Sequence, residues 1–254
     1  MTRIIAIASG KGGVGKTTVV SNLSSALSLF DQDVIAVDAN FTTANLGLHM
    51  GIPMYHTTIQ DVIKGKASIR DAVYHHRDGF KIIPADISIE KVITPSSHKM
   101  VDSMYKLINK ADFVLIDAAA GLGKEAVSTI KAADELITVT NLELPALTDA
   151  LKLTRVAERY GTHNMGVILN RIRREEWEFP AEKVNEFLGG VPVIGMINED
   201  HNVRRAISEK SPVVSHRPRA LASQQFLALA ANILGTEYTI RKPVLHRIFG
   251  RFVY

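Results

Sequence analysis

Residues 4–19 read IIAIASGKGGVGKTTV, in which a short apolar run leads into a glycine-rich loop and then into a helical pattern. The loop matches the motif G-x-x-x-x-G-K-[ST]. It lies between a predicted strand and a predicted helix, which is the context that this phosphate-binding motif requires. The sequence therefore predicts a phosphate-binding loop made by Gly10, Lys11, Gly12, Gly13, Val14, Gly15, Lys16, Thr17 and Thr18.

The residue types in this loop suit phosphate binding. Glycines let backbone N–H groups turn towards phosphate oxygens, and the N-terminus of the following helix adds the positive end of its dipole. Lys16 supplies a point charge for the phosphates, and Thr17 offers a hydroxyl to Mg²⁺. Lys11 is a second lysine that such a loop does not require. Taken by itself, it is equally compatible with a solvated surface charge.

Further apolar runs alternate with helical patterns along the chain, at 34–37, 113–116, 136–139, 166–169 and 193–197. These runs are almost continuously apolar, which is typical of strands covered on both faces, and the helices between them provide crossover connections. The alternation predicts an α/β fold with a doubly wound, mostly parallel sheet flanked by helices. Helical periodicity recurs over 15–29, 98–110, 123–132, 146–160, 181–188, 201–209 and 218–234.

The chain contains no obvious boundary within its first 235 residues, although the segment 41–95 is less regular than the rest. Gly235 is expected to end the last predicted helix, and Pro243 prevents its simple continuation. We therefore expect one domain at 1–235, a linker at 236–242 and a tail at 243–254.

Composition narrows the class of protein. The chain has 254 residues, of which 46% are hydrophobic and 22% charged, as in ordinary globular proteins. It has no cysteine, which excludes disulfide scaffolds, zinc–thiolate sites, iron–sulfur clusters and thiol catalysis. It has neither a signal-peptide pattern nor an apolar stretch of the roughly 18 residues that a membrane span needs. We expect a cytoplasmic protein.

Two other predicted strands end in a carboxylate, VIAVD at Asp38 and FVLID at Asp117. Ligands of parallel sheets bind at the carboxyl edge of the strands, so both aspartates are expected to face the phosphate loop. Either one alone is also compatible with capping the loop that follows. Together with Thr17 they favour a magnesium site, with Asp117 acting through the water shell of the metal and Asp38 near the γ-phosphate.

The loop KGGVGKTT, with a lysine directly after the first glycine, resembles the deviant Walker A loop of the MinD/ParA family of ATPases. The resemblance covers residues 2–235, and the tail resembles the MinD branch as well. Segments similar to that branch occur in the expected order, namely ANLGLHMG at 44–51, IDAAAGLG at 116–123, VTN at 139–141, TDALK at 148–152, ILNR at 168–171 and VIGMINEDHNVRRA at 193–206.

This resemblance implies a homodimer in which ATP, bound with Mg²⁺, is enclosed between two subunits. It implies that Lys11 reaches the nucleotide of the partner subunit and that Lys16 holds the phosphates of its own. Asn170 and Arg171 match the pair that recognises adenine in the family, and Asn198 lies in the matching adenine loop.

Three residues depart from the family pattern. Asn40 replaces a second aspartate in the segment that orients the attacking water, and an amide can hydrogen-bond to water but cannot take its proton. We expect slower hydrolysis, because phosphoryl transfer depends mainly on positioning and on stabilisation of charge. Ala119 and Asn198 replace prolines, and both changes loosen the backbone.

The tail PVLHRIFGRFVY is amphipathic when it is wound as a helix. Val244, Leu245, Ile248, Phe249 and Phe252 fall within an arc of about 140°, opposite His246, Arg247, Gly250 and Arg251. Residues 241–254 carry four of the 30 Lys and Arg residues and no acid, which leaves 26 basic against 26 acidic residues in 1–240. This pattern predicts binding to an anionic membrane surface. A helix docked on the body and a disordered end are the alternatives.

These observations favour an ATP-dependent, membrane-associated ATPase switch that positions the division site or other cell-surface machinery. We expect it on the inner face of the cell membrane when ATP is bound, with an activating or cargo protein that the sequence does not name. One alternative is a DNA-partitioning ATPase of the ParA branch, although the neutral body makes binding to specific nucleic acid unexpected. A slowly hydrolysing nucleotide-bound scaffold and a small-molecule ligase are the others.

Overall fold

A computed structural model describes residues 1–52, 55–88 and 97–240 of the chain. Within these residues the strands form a single eight-stranded sheet. The strands are β1 (Arg3–Ser9), β2 (Val34–Ala39), β3 (Tyr74–His75), β4 (Lys81–Ile83), β5 (Phe113–Ala120), β6 (Glu135–Thr140), β7 (His163–Ile172) and β8 (Val193–Asn198).

The strand order is β3-β4-β2-β5-β1-β6-β7-β8. All neighbouring strands are parallel except β3 and β4. From β1 the chain moves to one side of the sheet for β2 to β5 and then to the other side for β6 to β8. The predicted doubly wound α/β fold is confirmed, and the loop after β1 lies at the point where the winding changes direction.

Helices cover both faces of the sheet because both faces are apolar. Ile5 and Ile7 of β1 belong to a core cluster shared with the first and last helices, whereas Ile4 and Ala6 point to the opposite face. The α-helices are α1 (Lys16–Ser28), α2 (Leu46–His49), α3 (Ile59–Ile63), α4 (Ser97–Tyr105), α5 (Lys124–Lys131), α6 (Leu144–Tyr160), α7 (Val184–Phe187), α8 (His201–Ser208), α9 (Val213–His216) and α10 (Leu221–Leu234).

Several predicted helix limits were wrong. The helix expected at 98–110 ends at Tyr105, and the one expected at 218–234 begins at Leu221. The helix expected at 181–188 is a 3-10 turn at Ala181–Lys183 followed by α7. The irregular segment 41–95 contains α2, α3, β3 and β4, elements that are too short for a periodic pattern to reveal.

The last helix ends as predicted. α10 stops at Leu234, and Gly235 adopts a left-handed conformation with φ of 68°. Beyond it, the Tyr238 hydroxyl donates to Gln224 Oε1 at 2.9 Å and its ring packs edge-on against Phe30, so this part of the predicted linker lies against the body. The predicted tail at 243–254 lies outside the described residues. In the described part of the chain, every helix falls short of the length and hydropathy that a membrane-spanning helix requires.

The packing of α1 against the sheet predicts a matched pair of stability effects. Leu23 is fully buried on α1, whereas Leu29 at the end of the same helix is 61% exposed. Leu23→Ala is expected to lower the free energy of unfolding by about 2–5 kcal/mol, because it removes buried methyl groups and leaves a cavity. Leu29→Ala is expected to change it by less than about 0.5 kcal/mol. Urea denaturation of the two nucleotide-free variants measures both, and equal effects would contradict the packing described.

Candidate functional site

The phosphate loop connects the end of β1 to the start of α1, as the sequence predicts. Gly13 and Gly15 adopt left-handed conformations with φ of 81° and 96°, which glycine tolerates better than other residues. Gly15 precedes the first residue of α1, and a Cβ there would also collide with the Asn170 amide nitrogen. The backbone of the loop therefore turns at the N-terminus of α1, where N–H groups are free to meet phosphate.

Gly10 meets a different constraint from Gly13 and Gly15. Its backbone packs so closely on α6 that a Cβ at position 10 would lie 2.6 Å from the carbonyl carbon and 2.7 Å from the carbonyl oxygen of Asp149. Real Cβ atoms do not approach backbone atoms this closely. The first glycine of the loop is thus required by its contact with α6.

The two lysines of the loop lie in opposite environments. Lys16 is the first residue of α1 and is buried, with 8% of its surface exposed. Burial lowers the pKa of the Lys16 ammonium, and the nearby charge of Asp117 raises it in part. A buried cation at a helix N-terminus is well placed to hold phosphate.

Lys11 lies at the surface and points to a neighbouring helix. Its Nζ is 3.1 Å from Glu143 Oε2, and both side chains are about half exposed. Glu143 is the residue that precedes α6. Lys11 is absent from the lining of the cavity that the loop borders, whereas Lys16 is part of it.

The two predicted aspartates lie side by side beneath the loop. Asp38 and Asp117 are register partners on the parallel strands β2 and β5, and each is 1% exposed. Burial and then the negative charge of Asp117 raise the pKa of the Asp38 carboxyl. Burial also raises the pKa of the Asp117 carboxyl. A hydrogen bond from Thr17 and the charge of Lys16 lower this pKa in part. A bound cation would favour the charged form of both groups.

The residues around Asp117 fit a magnesium ion. Thr17 Oγ1, at the cavity wall, donates to Asp117 Oδ2 at 2.6 Å. The other oxygen, Asp117 Oδ1, is buried without a hydrogen-bond partner among the described residues. Hydroxyl and carboxylate oxygens are the ligands that Mg²⁺ prefers, and this ion usually retains several waters. Thr17 and Asp117 would therefore hold Mg²⁺, which supplies positive charge to neutralise phosphate oxygens.

Asp38 has a role that the sequence pattern did not reveal. Its Oδ1 accepts from the backbone N–H of Asn40 at 3.1 Å. Its Oδ2 accepts from the N–H groups of Asn45 and Leu46, at 3.1 and 3.0 Å. Asp38 thus binds both ends of residues 40–45, which we call the switch loop, and about one lone-pair position of the carboxylate is left for a ligand.

Asn40 begins the switch loop and lines the cavity. Its Oδ1 accepts from both the N–H and the hydroxyl of Thr43, at 3.2 and 3.0 Å. Both of these bonds use the amide oxygen, so the NH₂ group is the part of the side chain left to donate to a ligand.

Asn170 and Arg171 lie near the end of β7 and hold the phosphate loop. Asn170 Nδ2 donates to the Val14 carbonyl at 2.7 Å, and Arg171 Nη1 donates to the Gly13 carbonyl at 2.8 Å. Arg171 adopts φ of 59°, which is uncommon for a residue with a side chain, and its Nε pairs with Glu199 at 3.0 Å. Both residues line the cavity beside the loop. Their contact with adenine stays a prediction.

Asn198 lies at the end of β8 and lines the same cavity as Asn170. Gln225 of α10 holds it by two hydrogen bonds, in which the Asn198 N–H donates to Gln225 Oε1 at 2.9 Å and Gln225 Nε2 donates to Asn198 Oδ1 at 2.7 Å. This side-chain pairing supplies a restraint where a proline would have restrained the backbone.

The cavity enclosed by these segments has a volume of about 320 Å³. Residues from the phosphate loop, the switch loop and the ends of β7 and β8 surround it. Its lining includes the predicted residues Gly12, Gly13, Gly15, Lys16, Thr17, Thr18, Asn40, Asn170, Arg171 and Asn198.

The model of the CobQ/CobB/MinD/ParA nucleotide binding domain family matches residues 5–213 of the chain. The chain belongs to the MinD/ParA family of P-loop ATPases. An ATP-binding protein of Methanocaldococcus jannaschii is 40% identical over 238 residues, which cover 94% of this chain and 90% of that protein.

Two solved structures support the same assignment for this MinD/ParA family ATPase. The septum site-determining protein MinD of Pyrococcus horikoshii, complexed with Mg-ADP, is 39% identical with a TM-score of 0.88, over 92% of this chain and 96% of that one. The MinC:MinD cell division complex of Aquifex aeolicus gives 26% identity and a TM-score of 0.83, over 94% and 98% of the two chains. The Mg-ADP of the Pyrococcus horikoshii protein agrees with the phosphate and magnesium that Lys16, Thr17 and Asp117 would hold in this chain.

Sequence reasoning missed the partners that hold the predicted residues of this MinD/ParA ATPase in place. Glu143 pairs with Lys11, Glu199 with Arg171, and Gln225 with Asn198. Glu125 of α5 hydrogen-bonds to the switch loop. Each partner is distant in sequence from the residue that it holds, and no local motif marks it.

The contact between Gly10 and α6 predicts a specific loss of nucleotide binding. Gly10→Ala should push the phosphate loop away from α6 and raise the Kd for Mg-ADP by roughly tenfold or more. Gly123→Ala is the matched control, because Gly123 has ordinary φ and no atom within 4 Å of an added Cβ. A fluorescent ADP analogue measures both constants. Tight binding by Gly10→Ala would contradict the steric argument.

Proposed function

We propose that this ATPase is a dimerising switch of MinD type, which attaches to an anionic membrane when ATP is bound and positions the division site or other cell-surface machinery. The position of Lys11 is the observation that carries this proposal. Lys11 is the lysine of the phosphate loop that phosphates bound in the same subunit do not require. Its side chain is about half exposed, pairs with Glu143 and does not line the cavity. Its charge is available to a second subunit.

The ion pair of Lys11 makes an exchange of partners inexpensive. A half-exposed Lys–Glu pair is screened by solvent and contributes only about 0–1 kcal/mol. The γ-phosphate of ATP in a partner subunit would offer Lys11 a stronger, charge-assisted interaction. ADP lacks that phosphate group, so the gain in binding is expected with ATP and lost after hydrolysis.

Dimerisation gives the tail at 243–254 its switching property. Full burial of one Leu or Phe contributes about 1.5–3 kcal/mol, while ordering the tail as a helix costs about 1–2 kcal/mol per residue. One tail therefore binds weakly. In a dimer the second tail inserts intramolecularly, and avidity raises attachment by roughly 10²–10⁴.

Hydrolysis would release the dimer from the membrane. In this reaction a water oxygen bonds to the γ-phosphorus, the bond from that phosphorus to the β–γ bridging oxygen breaks with its electron pair leaving on ADP, and a water proton passes to the released phosphate. Lys16 and the loop N–H groups would stabilise phosphate charge. Asn40 offers an NH₂ donor and no base, so we propose slow basal turnover that a partner protein accelerates.

The MinC:MinD complex supports a protein partner for this chain by analogy. We therefore place an activating or cargo protein, whose identity the chain does not reveal, on the ATP-bound dimer. The protein would be cytoplasmic in the ADP state and peripheral on the inner face of the membrane in the ATP state.

Sedimentation with anionic liposomes tests the switch. Wild type is expected to pellet with ATP at least about tenfold more than with ADP, because only the dimer presents two tails. Lys11→Ala should lose the difference between ATP and ADP, and a chain truncated after Lys242 should remain in the supernatant with either nucleotide.

Controls separate the steps of the switch. Lys11→Ala should still bind Mg-ADP as wild type does, since Lys11 lies outside the cavity lining. Light scattering without lipid should give a dimer for the truncated chain in ATP. Equal pelleting in ATP and ADP, or pelleting of the truncated chain, would refute the proposal.

Asn40→Asp is expected to raise the steady-state kcat for ATP hydrolysis by at least about tenfold. One carboxylate oxygen would keep the bonds from Thr43, and the second would accept a hydrogen bond from the attacking water. A phosphate-release assay at saturating Mg-ATP gives the rate. If partner-stimulated wild type already turns over rapidly and Asn40→Asp changes nothing, Asn40 does not limit hydrolysis.

A further inference from the structure

Glu125 lies in the first turn of α5, and its carboxylate contacts the switch loop. Oε1 accepts a hydrogen bond from the backbone N–H of Phe41, and Oε2 accepts one from the Thr42 hydroxyl at 3.0 Å. Neither partner is close to Glu125 in the chain, and Glu125 is not among the residues that line the nucleotide cavity. Its carboxylate therefore serves the loop and not a bound ligand directly.

Three sets of contacts hold the switch loop in addition to those of Glu125. Asp38 accepts hydrogen bonds from N–H groups at both ends of the switch loop. Within the loop, the Asn40 side chain accepts a hydrogen bond from the N–H of Thr43. The Phe41 side chain is 1% exposed and anchors the loop in the core. Glu125 holds the backbone between these points, directly after Asn40.

Glu125 also connects the two segments that follow the strands of the buried aspartates. The switch loop follows β2, which carries Asp38, and α5 follows the turn after β5, which carries Asp117. A carboxylate on α5 that holds the switch loop fixes one segment relative to the other. The switch loop begins with Asn40. Glu125 therefore fixes the position of Asn40 relative to Thr17, whose hydroxyl donates a hydrogen bond to Asp117.

The geometry points to Glu125 as a positioning residue for ATP hydrolysis, which fixes Asn40 towards the γ-phosphate by holding Phe41 and Thr42. This inference rests on the proposed hydrolysis. Glu125 acts through Asn40 and touches neither the nucleotide nor the water. Its loss should therefore slow turnover while leaving the binding of ADP, which has no γ-phosphate, nearly unchanged.

The test compares kcat for Mg-ATP with Kd for Mg-ADP in wild type and three variants. Glu125→Ala is expected to lower kcat about tenfold while Kd changes by less than about twofold, because misplacing a group near the reacting atoms affects mainly the chemical step. Glu125→Gln keeps one acceptor oxygen and should fall in between. Thr42→Val removes one hydrogen bond on an exposed side chain and should lower kcat about two- to threefold.

A control variant, Lys124→Ala, and thermal unfolding of every variant separate a positioning role of Glu125 from a loss of stability. Lys124→Ala changes the exposed neighbour of Glu125 and should retain wild-type kcat and Tm. If Glu125→Ala does not fold, Glu125→Gln and Thr42→Val carry the test. Thermal unfolding of each variant identifies that case.

A double-mutant cycle with Asn40→Ala decides the mechanism under single-turnover conditions. The effect of Glu125→Ala should disappear in the Asn40→Ala background, because the two residues act in series. An undiminished effect there, or an unchanged kcat in Glu125→Ala with active wild type, would overturn the inference alone. Wild type that binds Mg-ATP without hydrolysing it would overturn the proposed hydrolysis as well.

Discussion

Two buried carboxylates on adjacent strands are the constraint around which this protein is arranged. Asp38 and Asp117 are register partners and are almost fully buried. Like charges so close in a low-dielectric interior repel each other, so cations and hydrogen-bond donors must surround them. The phosphate loop brings Lys16 and Thr17 to Asp117, and the switch loop folds its N–H groups onto Asp38. Both ligand-binding loops are thus held by the same pair of buried carboxyl groups.

Lys11 and Lys16 are only five positions apart, but their surroundings suit them to different roles. Lys16 is buried at the start of α1, where desolvation and the helix N-terminus favour a tightly held anion. Lys11 is exposed beside Glu143 in a pair that solvent screens. A phosphate that enters the cavity meets Lys16, whereas Lys11 stays at the surface, where our proposal has it reach the nucleotide of a second subunit.

The switch loop shows why binding and hydrolysis need separate explanations. The phosphate loop is complete, and Asn170 and Arg171 hold its carbonyls in place. In the switch loop, Thr43 occupies the oxygen of Asn40, which leaves an amide that donates but cannot accept a proton. These contacts fit nucleotide binding, and in our proposal turnover depends on how accurately Asp38 and Glu125 hold the switch loop.

The sequence alone determined the parallel fold, the phosphate loop and the edge of the sheet where Asp38 and Asp117 meet. These features depend on local patterns, in which an apolar run, a glycine spacing and a strand-end carboxylate are each contained within a few neighbouring residues. Only the tertiary structure decided which residues hold them in place. Glu143 lies 132 residues from Lys11, Asn170 lies 156 from Val14, and Glu125 lies 84 from Phe41. No local periodicity relates residues so far apart, because only the packing of α5, α6 and β7 around the loops brings their side chains into contact.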